Sequence, residues 1–255
     1  CAMAHSLATR AVSQAPRIER AERGDGAAVP QSWSQQRLWF LDRLEGGGSA
    51  YNMSGALRLH GQLDIPALRR ALDTIEQRHE ALRTVFAQEG ELPVQRILAP
   101  RGLPLREQDL TDVPTSQQPQ RIAQHLAQEA SQRFDLAQGP LASGLLLSLS
   151  GQEHVLMLTL HHIIADGWSI GVLTHELSQL YAALSAGRSD PLAPLPLQYA
   201  DYAVWQRQWL AQGTMQAQLG FWQQALAHAP VLLSLPQDRP RPARPSYQGG
   251  SLAVH

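Results

Sequence analysis

The sequence predicts an α/β fold in which a central sheet is flanked by helices. Residues 141 to 149 and 154 to 162 are two apolar runs separated only by Ser150, Gly151 and Gln152, and their length favours paired antiparallel strands at the centre of a sheet. Helical segments lie on both sides of this pair in the chain, the clearest being Ile170, Leu173, Leu177, Leu180 and Leu184 at a period near 3.6. No internal repeat of fixed length recurs, which disfavours a solenoid or a propeller.

Residues 1 to 30 mix Ala, Arg, Glu and Gly with Pro16 and Pro30 and sustain no apolar period, the pattern of a linker or tail. Folded structure is expected from near Ser32, within a domain spanning 31 to 255. Over residues 34 to 44, Leu38, Trp39, Leu41 and Leu44 recur at helical spacing until Gly46, Gly47 and Gly48 stop them. Residues 53 to 60 alternate as a strand, and Asp64 is placed to cap a helix running through Leu68, Leu72 and Ile75 to about Leu82. A strand follows at 84 to 87. Residues 94 to 98 and 103 to 110 are further short strands, with Pro93, Pro100 and Pro104 marking turns or edges. A helix covers 116 to 134, ahead of the central strand pair, and the helix beyond Gly167 ends near Gly187. A proline-rich connection leads to helices at 199 to 210 and 216 to 227. Pro236, Pro240, Pro242 and Pro245 exclude regular structure after that, and residues 249 to 255 start a new strand.

Composition narrows the function classes. Lys and Arg number 21 against 22 Asp and Glu, so there is no basic stripe suited to nucleic acid. The single cysteine, Cys1, rules out an intrachain disulfide and a cysteine-built metal site, and fits a reducing cytoplasm. No apolar run approaches the roughly 20 residues of a membrane span, and the N-terminus lacks the apolar stretch of a secretory signal. The chain reads as soluble and cytoplasmic.

The sharpest local feature is His161-His162-Ile163-Ile164-Ala165-Asp166-Gly167, placed where a core strand gives way to a turn and a helix. Neighbouring side chains on a strand point to opposite faces, so only one of the two histidines can face a given cavity and the other is structural. A neutral imidazole accepts a proton from an attacking amine or hydrogen-bonds to it. Asp166 is suited to holding the loop, by pairing with an arginine or by accepting from backbone amides, and Gly167 to the close backbone approach of the turn. Packing alone also accounts for a His-His pair at a strand end. Adjacent histidines on opposite faces do not chelate one ion, Ser169 lacks a nucleophile elbow, and no glycine-rich phosphate loop follows a strand.

With Trp168 and Ser169, this segment resembles the His-His-x-x-x-Asp-Gly signature of the condensation domains of nonribosomal peptide synthetases. Three more segments are similar to that family's motifs in the same order: residues 34 to 41 (SQQRLWFL), 78 to 86 (RHEALRTVF) and 199 to 205 (YADYAVW). The resemblance covers about residues 30 to 255. It implies an α+β sandwich with a mixed central sheet, a lobe like chloramphenicol acetyltransferase and here the N-terminal one of two, with the family's later motifs having no counterpart before His255. By position it makes His162 the catalytic residue and gives supporting roles to His161, Trp168, Asp166, Gly167 and Arg83. Asp166 would pair with Arg83, or failing that Arg78, and the Gly167 amide would lie near the developing oxyanion. Leu38, Trp39, Phe86 and Trp205 read as core anchors and His79 and Glu80 as braces of a helix end. Ser34, Gln35 and Arg37 either cap the first helix or line a substrate channel.

The implied reaction is peptide-bond formation between donor and acceptor aminoacyl thioesters, as in the making of an antibiotic or siderophore. The substrates would arrive on phosphopantetheine arms of upstream and downstream peptidyl carrier domains. The implied partners also include a C-terminal lobe and an adjacent adenylation domain. No cofactor or metal is implied for the domain itself, nor a nucleic acid or membrane partner. Trp168 and the following Ile170-Gly171-Val172-Leu173 look more like a domain joining L-configured donors than an epimerization domain. Two other readings are a docking lobe inactive without its second half and a trimeric acyltransferase acting on a small substrate.

Overall fold

The computed structural model describes residues 15–23, 26–232, 236 and 239–240. The chain divides into two compact units, residues 1–210 and 211–255. The first holds seven strands and five α-helices among its described residues: β1 (Ala28–Pro30), α1 (Trp33–Glu45), β2 (Asn52–His60), α2 (Ile65–Arg78), β3 (Thr84–Glu89), β4 (Leu92–Ile97), β5 (Leu105–Asp109), α3 (Gln118–Ala130), β6 (Ala142–Ser150), β7 (Glu153–His161), α4 (Gly167–Ser185) and α5 (Tyr199–Trp209). In the second unit, Gly213 takes φ +91° and α6 (Met215–Ala225) follows. The strand expected over 249 to 255 lies outside the described residues.

The larger sheet has the order β2-β7-β6-β5. It is mixed, as expected: β5 runs parallel to β6, while β6–β7 and β2–β7 are antiparallel. The two apolar runs therefore occupy its centre. Their alternation sorts side chains between faces. Leu146 and Leu156 are cross-strand partners in a core shared with Leu72 and Ile75 of α2 and Leu177 and Leu180 of α4. Leu145 with Met157, and Leu147 with Val155, join Ile122 and Leu126 of α3 on the opposite face. A central strand with both faces covered must be apolar throughout, and each such leucine contributes about 1.5–3 kcal/mol of burial. A smaller sheet, β1-β4-β3, packs Phe86 with Leu38 of α1, Leu141 and Ile163 in a third cluster.

Local chemistry sets the helix ends. Ser32 and Gln35 form a capping box at the start of α1, and Gly46 ends it with φ +77°, a left-handed conformation that glycine adopts without steric cost. The Asp64 carboxylate accepts from the Ala67 amide at 2.8 Å and Pro66 fits the first turn of α2. That helix stops at Arg78, short of the expected Leu82. His79 leaves helical geometry with ψ 99°, its ring bonds to Glu176 at 2.6 Å, and residues 80–83 continue as a 3₁₀ turn.

Ordered structure also begins before Ser32. Strand β1 pairs with β4 in the register Ala28↔Arg96 to Pro30↔Val94, on an edge where a proline is tolerated. Residues 15–23 are pinned to the folded unit as well: the Trp205 indole donates to the Pro16 carbonyl at 2.7 Å, and Arg23 pairs with Glu80 and with Asp201 at 3.0 Å.

Candidate active site

The end of β7 separates the two histidines. His161 is the last strand residue and projects inward, 1% exposed, with Tyr51 and Phe134 rings 6.2 and 6.4 Å away. Its Nδ1 accepts the Ile163 amide at 3.1 Å, which puts the ring proton on Nε2, an atom with no partner among the described residues. Burial, and secondarily the neighbouring His162, push its pKa down to about 4. His161 is therefore a neutral core residue. The His162 amide extends the ladder one step, donating to the Tyr51 carbonyl at 2.8 Å, and its side chain is exposed. Its Nδ1 lies 2.7 Å from the Ala165 carbonyl. A carbonyl only accepts, so Nδ1 carries the proton and Nε2 is left as the basic nitrogen, with no partner among the described residues.

The turn that makes this bond is fixed at both ends. Ile163 is buried in the cluster with Leu38 and Phe86, and Asp166 caps α4. The Asp166 carboxylate accepts from the Ser169 amide at 2.9 Å and hydroxyl at 2.7 Å, while the Asp166 amide donates to the Ser169 hydroxyl oxygen at 3.1 Å. These Ser169 bonds hold the carboxyl below the usual aspartate range.

Two expectations are corrected here. Asp166 does not pair with Arg83, whose guanidinium donates to the Leu98 carbonyl, nor with Arg78, which pairs with Glu176 at 3.1 Å and donates to the Ala193 carbonyl at 2.6 Å. A cap made three residues away orders less chain than reaching a remote arginine, and it satisfies the carboxylate locally. Nor does the turn itself need a glycine at 167. Gly167 is the first residue of α4, its φ is not positive, and a Cβ there would meet nothing within 4 Å. The open space lies over the helix N-terminus.

A cavity of about 350 Å³ brings together His162, Asp166, Ser34, Gln35, Arg37 and Tyr199. Gln35 is buried, its carbonyl oxygen accepting from the Ser32 amide at 2.9 Å, so it braces the helix. Arg37, on the same helix, has no hydrogen bond or ion pair among the described residues and is the uncommitted cation of the cavity. Tyr199 was not singled out from sequence, although it opens the fourth matched segment. Its hydroxyl lies 3.1 Å from Ser32 Oγ, and burial pushes its pKa up. Trp168 is 84% exposed and lines an adjoining cleft, whereas Arg83 lines neither space. Of the core anchors, Leu38 and Phe86 are buried and Trp39 packs against them, while Trp205 stacks on Trp209 at 5.1 Å.

The sequence profile described as "Condensation domain" matches residues 27–255. The chain belongs to the condensation-domain family. Among similar members is malpibaldin synthetase of Mortierella alpina, 45% identical over 94% of this chain and 4% of that protein. Phosphinothricin tripeptide synthetase PhsC of Streptomyces viridochromogenes is 43% identical over 92% of this chain and 22% of that protein. The crystal structure of the X-domain from teicoplanin biosynthesis superposes with a TM-score of 0.77 at 37% identity, covering 91% of this chain and 50% of that one, and the X-domain has also been solved in complex with OxyB. This condensation-domain chain thus spans less than a quarter of either synthetase and half of the solved chain. Its mixed α/β architecture is the one the solved structures share.

Proposed function

We propose that this chain is the N-terminal lobe of a condensation domain that joins a donor aminoacyl or peptidyl thioester to the amine of an acceptor aminoacyl thioester. The single observation that carries the reading is His162: an exposed imidazole whose Nδ1–H is held by the Ala165 carbonyl, leaving a basic Nε2 in a cavity with an uncommitted arginine. The amine nitrogen attacks the thioester carbonyl carbon, the C–S bond breaks as the tetrahedral intermediate collapses, and the amine proton passes to His162 and on to the departing thiolate. The products are an amide and a free thiol, so atoms and charge balance. The exposed Gly167 amide at the start of α4 and the Arg37 guanidinium suit the negative charge that develops on the carbonyl oxygen. Both thioesters would arrive tethered to carrier-domain phosphopantetheine arms, so proximity supplies much of the rate. A second lobe facing His162 would close the cavity, in keeping with the twofold length of the X-domain chain. An L-configured donor and a cytoplasmic setting are part of the same reading.

A docking lobe without chemistry is the second reading, favoured by the X-domain's complex with OxyB. Intact-mass detection of dipeptide on an acceptor carrier, using loaded donor and acceptor carriers and this chain with its second lobe supplied, decides between them. Dipeptide above the uncatalysed background supports the catalytic reading, and background alone supports docking.

A further inference from the structure

Resting on that reading, we infer that the cleft beside Trp168 is a subsite for the side chain of one of the two reacting aminoacyl groups and that it selects an aliphatic or aromatic one. The cleft measures about 290 Å³. That is at the small end of ligand sites, the size for a side chain rather than a whole substrate. It shares Ile164, Ala165, Ser169 and Tyr199 with the His162 cavity, so the two spaces adjoin across one wall. Leu82, Leu160, Ile164, Val172, Leu173 and Leu197 line it.

Four polar side chains in its wall are already engaged, which leaves the indole N–H of the exposed Trp168 at the mouth as the remaining side-chain donor. The His79 ring bonds to Glu176 at 2.6 Å. Gln198 accepts from the Glu80 amide at 3.1 Å and donates to the Arg78 carbonyl at 2.9 Å. Ser169 belongs to the Asp166 cap and Tyr199 to Ser32. A charged or amide side chain entering this cleft would lose water and find one indole donor at the mouth in exchange, whereas an apolar one loses nothing by leaving water. The contrast with the neighbouring cavity, where His162 Nε2 and Arg37 have no partner among the described residues, divides the work: polar chemistry on one side of Ile164 and side-chain recognition on the other.

The test is titration of the chain with glycyl, leucyl, phenylalanyl and aspartyl amides of aminopantetheine, in which an amine replaces the thiol, followed by NMR, in the wild type and in Leu197→Trp and Val172→Trp, which fill the cleft. Thermal melting confirms that each variant is folded. Leucyl and phenylalanyl amides should bind at least tenfold tighter than glycyl and aspartyl amides, and at least one filled variant should erase that preference while leaving glycyl binding unchanged. Equal binding of all four amides, a preference that survives both folded variants, or no binding of any amide because another segment covers the cleft would each overturn the inference. Repeating the comparison in the dipeptide assay, varying donor and acceptor separately, shows which substrate uses the subsite. Selective binding without dipeptide would leave the subsite standing and remove the catalytic reading, so the two fail independently.

Discussion

Replacing His161 with Asn keeps a hydrogen-bond acceptor available for the Ile163 amide and removes the titration. In the native protein the folded-state pKa of His161 is pushed down to about 4 from 6.5, chiefly by burial. A base whose pKa falls on folding binds protons better when unfolded, so its contribution to stability is complete above pH 6.5 and is lost as pH falls from 6.5 towards 4. Two and a half pKa steps at about 1.36 kcal/mol each correspond to about 3 kcal/mol. Chemical denaturation at pH 7 and pH 4 measures it: the stability lost by the wild type should exceed that lost by His161→Asn by about 3 kcal/mol. Carboxylates that titrate in the same range contribute equally to both proteins and cancel. An equal loss in the two proteins would refute the assignment of His161 as a buried neutral histidine.

The Asp166 cap predicts that Asp166→Ala costs about 1 kcal/mol of stability and slows peptide formation, because the cap fixes the turn carrying Ala165 and His162; chemical denaturation and single-turnover kinetics on the same samples check both. Glu176 joins α4 to Arg78 and His79 while only 7% exposed. Glu176→Ala should cost about 3 kcal/mol by leaving Arg78 unpaired, read as a fall of about 6–12 °C in the melting midpoint. Arg37→Met should lower kcat/KM about tenfold, as loss of one charged hydrogen bond would, with no change in melting midpoint because Arg37 has no partner to strand among the described residues.

The elements that were legible in the sequence are those whose apolar pattern is dictated by two covered faces or one buried stripe. The strand pair at the sheet centre, α2 and α4 all come from such patterns. The one short edge strand that begins the chain's sheet pairing escaped for the opposite reason. Strand β1 is three residues long, ends in Pro30 and gains its stability from pairing with β4 rather than from its own pattern. The separation of His161 from His162 was legible, because strand alternation forces it. The destination of Asp166 was not, since its residue type serves a helix cap and an arginine pair equally well, and only the arrangement of Ser169 and the fixing of Arg78 and Arg83 elsewhere decide between them. Tyr199 was hidden for a similar reason: a tyrosine opening an amphipathic helix reads as packing until α5 is seen to lay its first turn against Ser32.

The measurement that bears most directly on the central claim is the single-turnover rate of dipeptide formation with loaded carriers and the completed domain, comparing wild type with His162→Ala at equal concentration of folded protein. The account predicts a loss of about 10²–10⁴-fold on removing the imidazole, with a melting midpoint lowered by only about 2–4 °C through loss of the one bond to Ala165. A rate within twofold of the wild type would contradict it and move the chemistry away from His162.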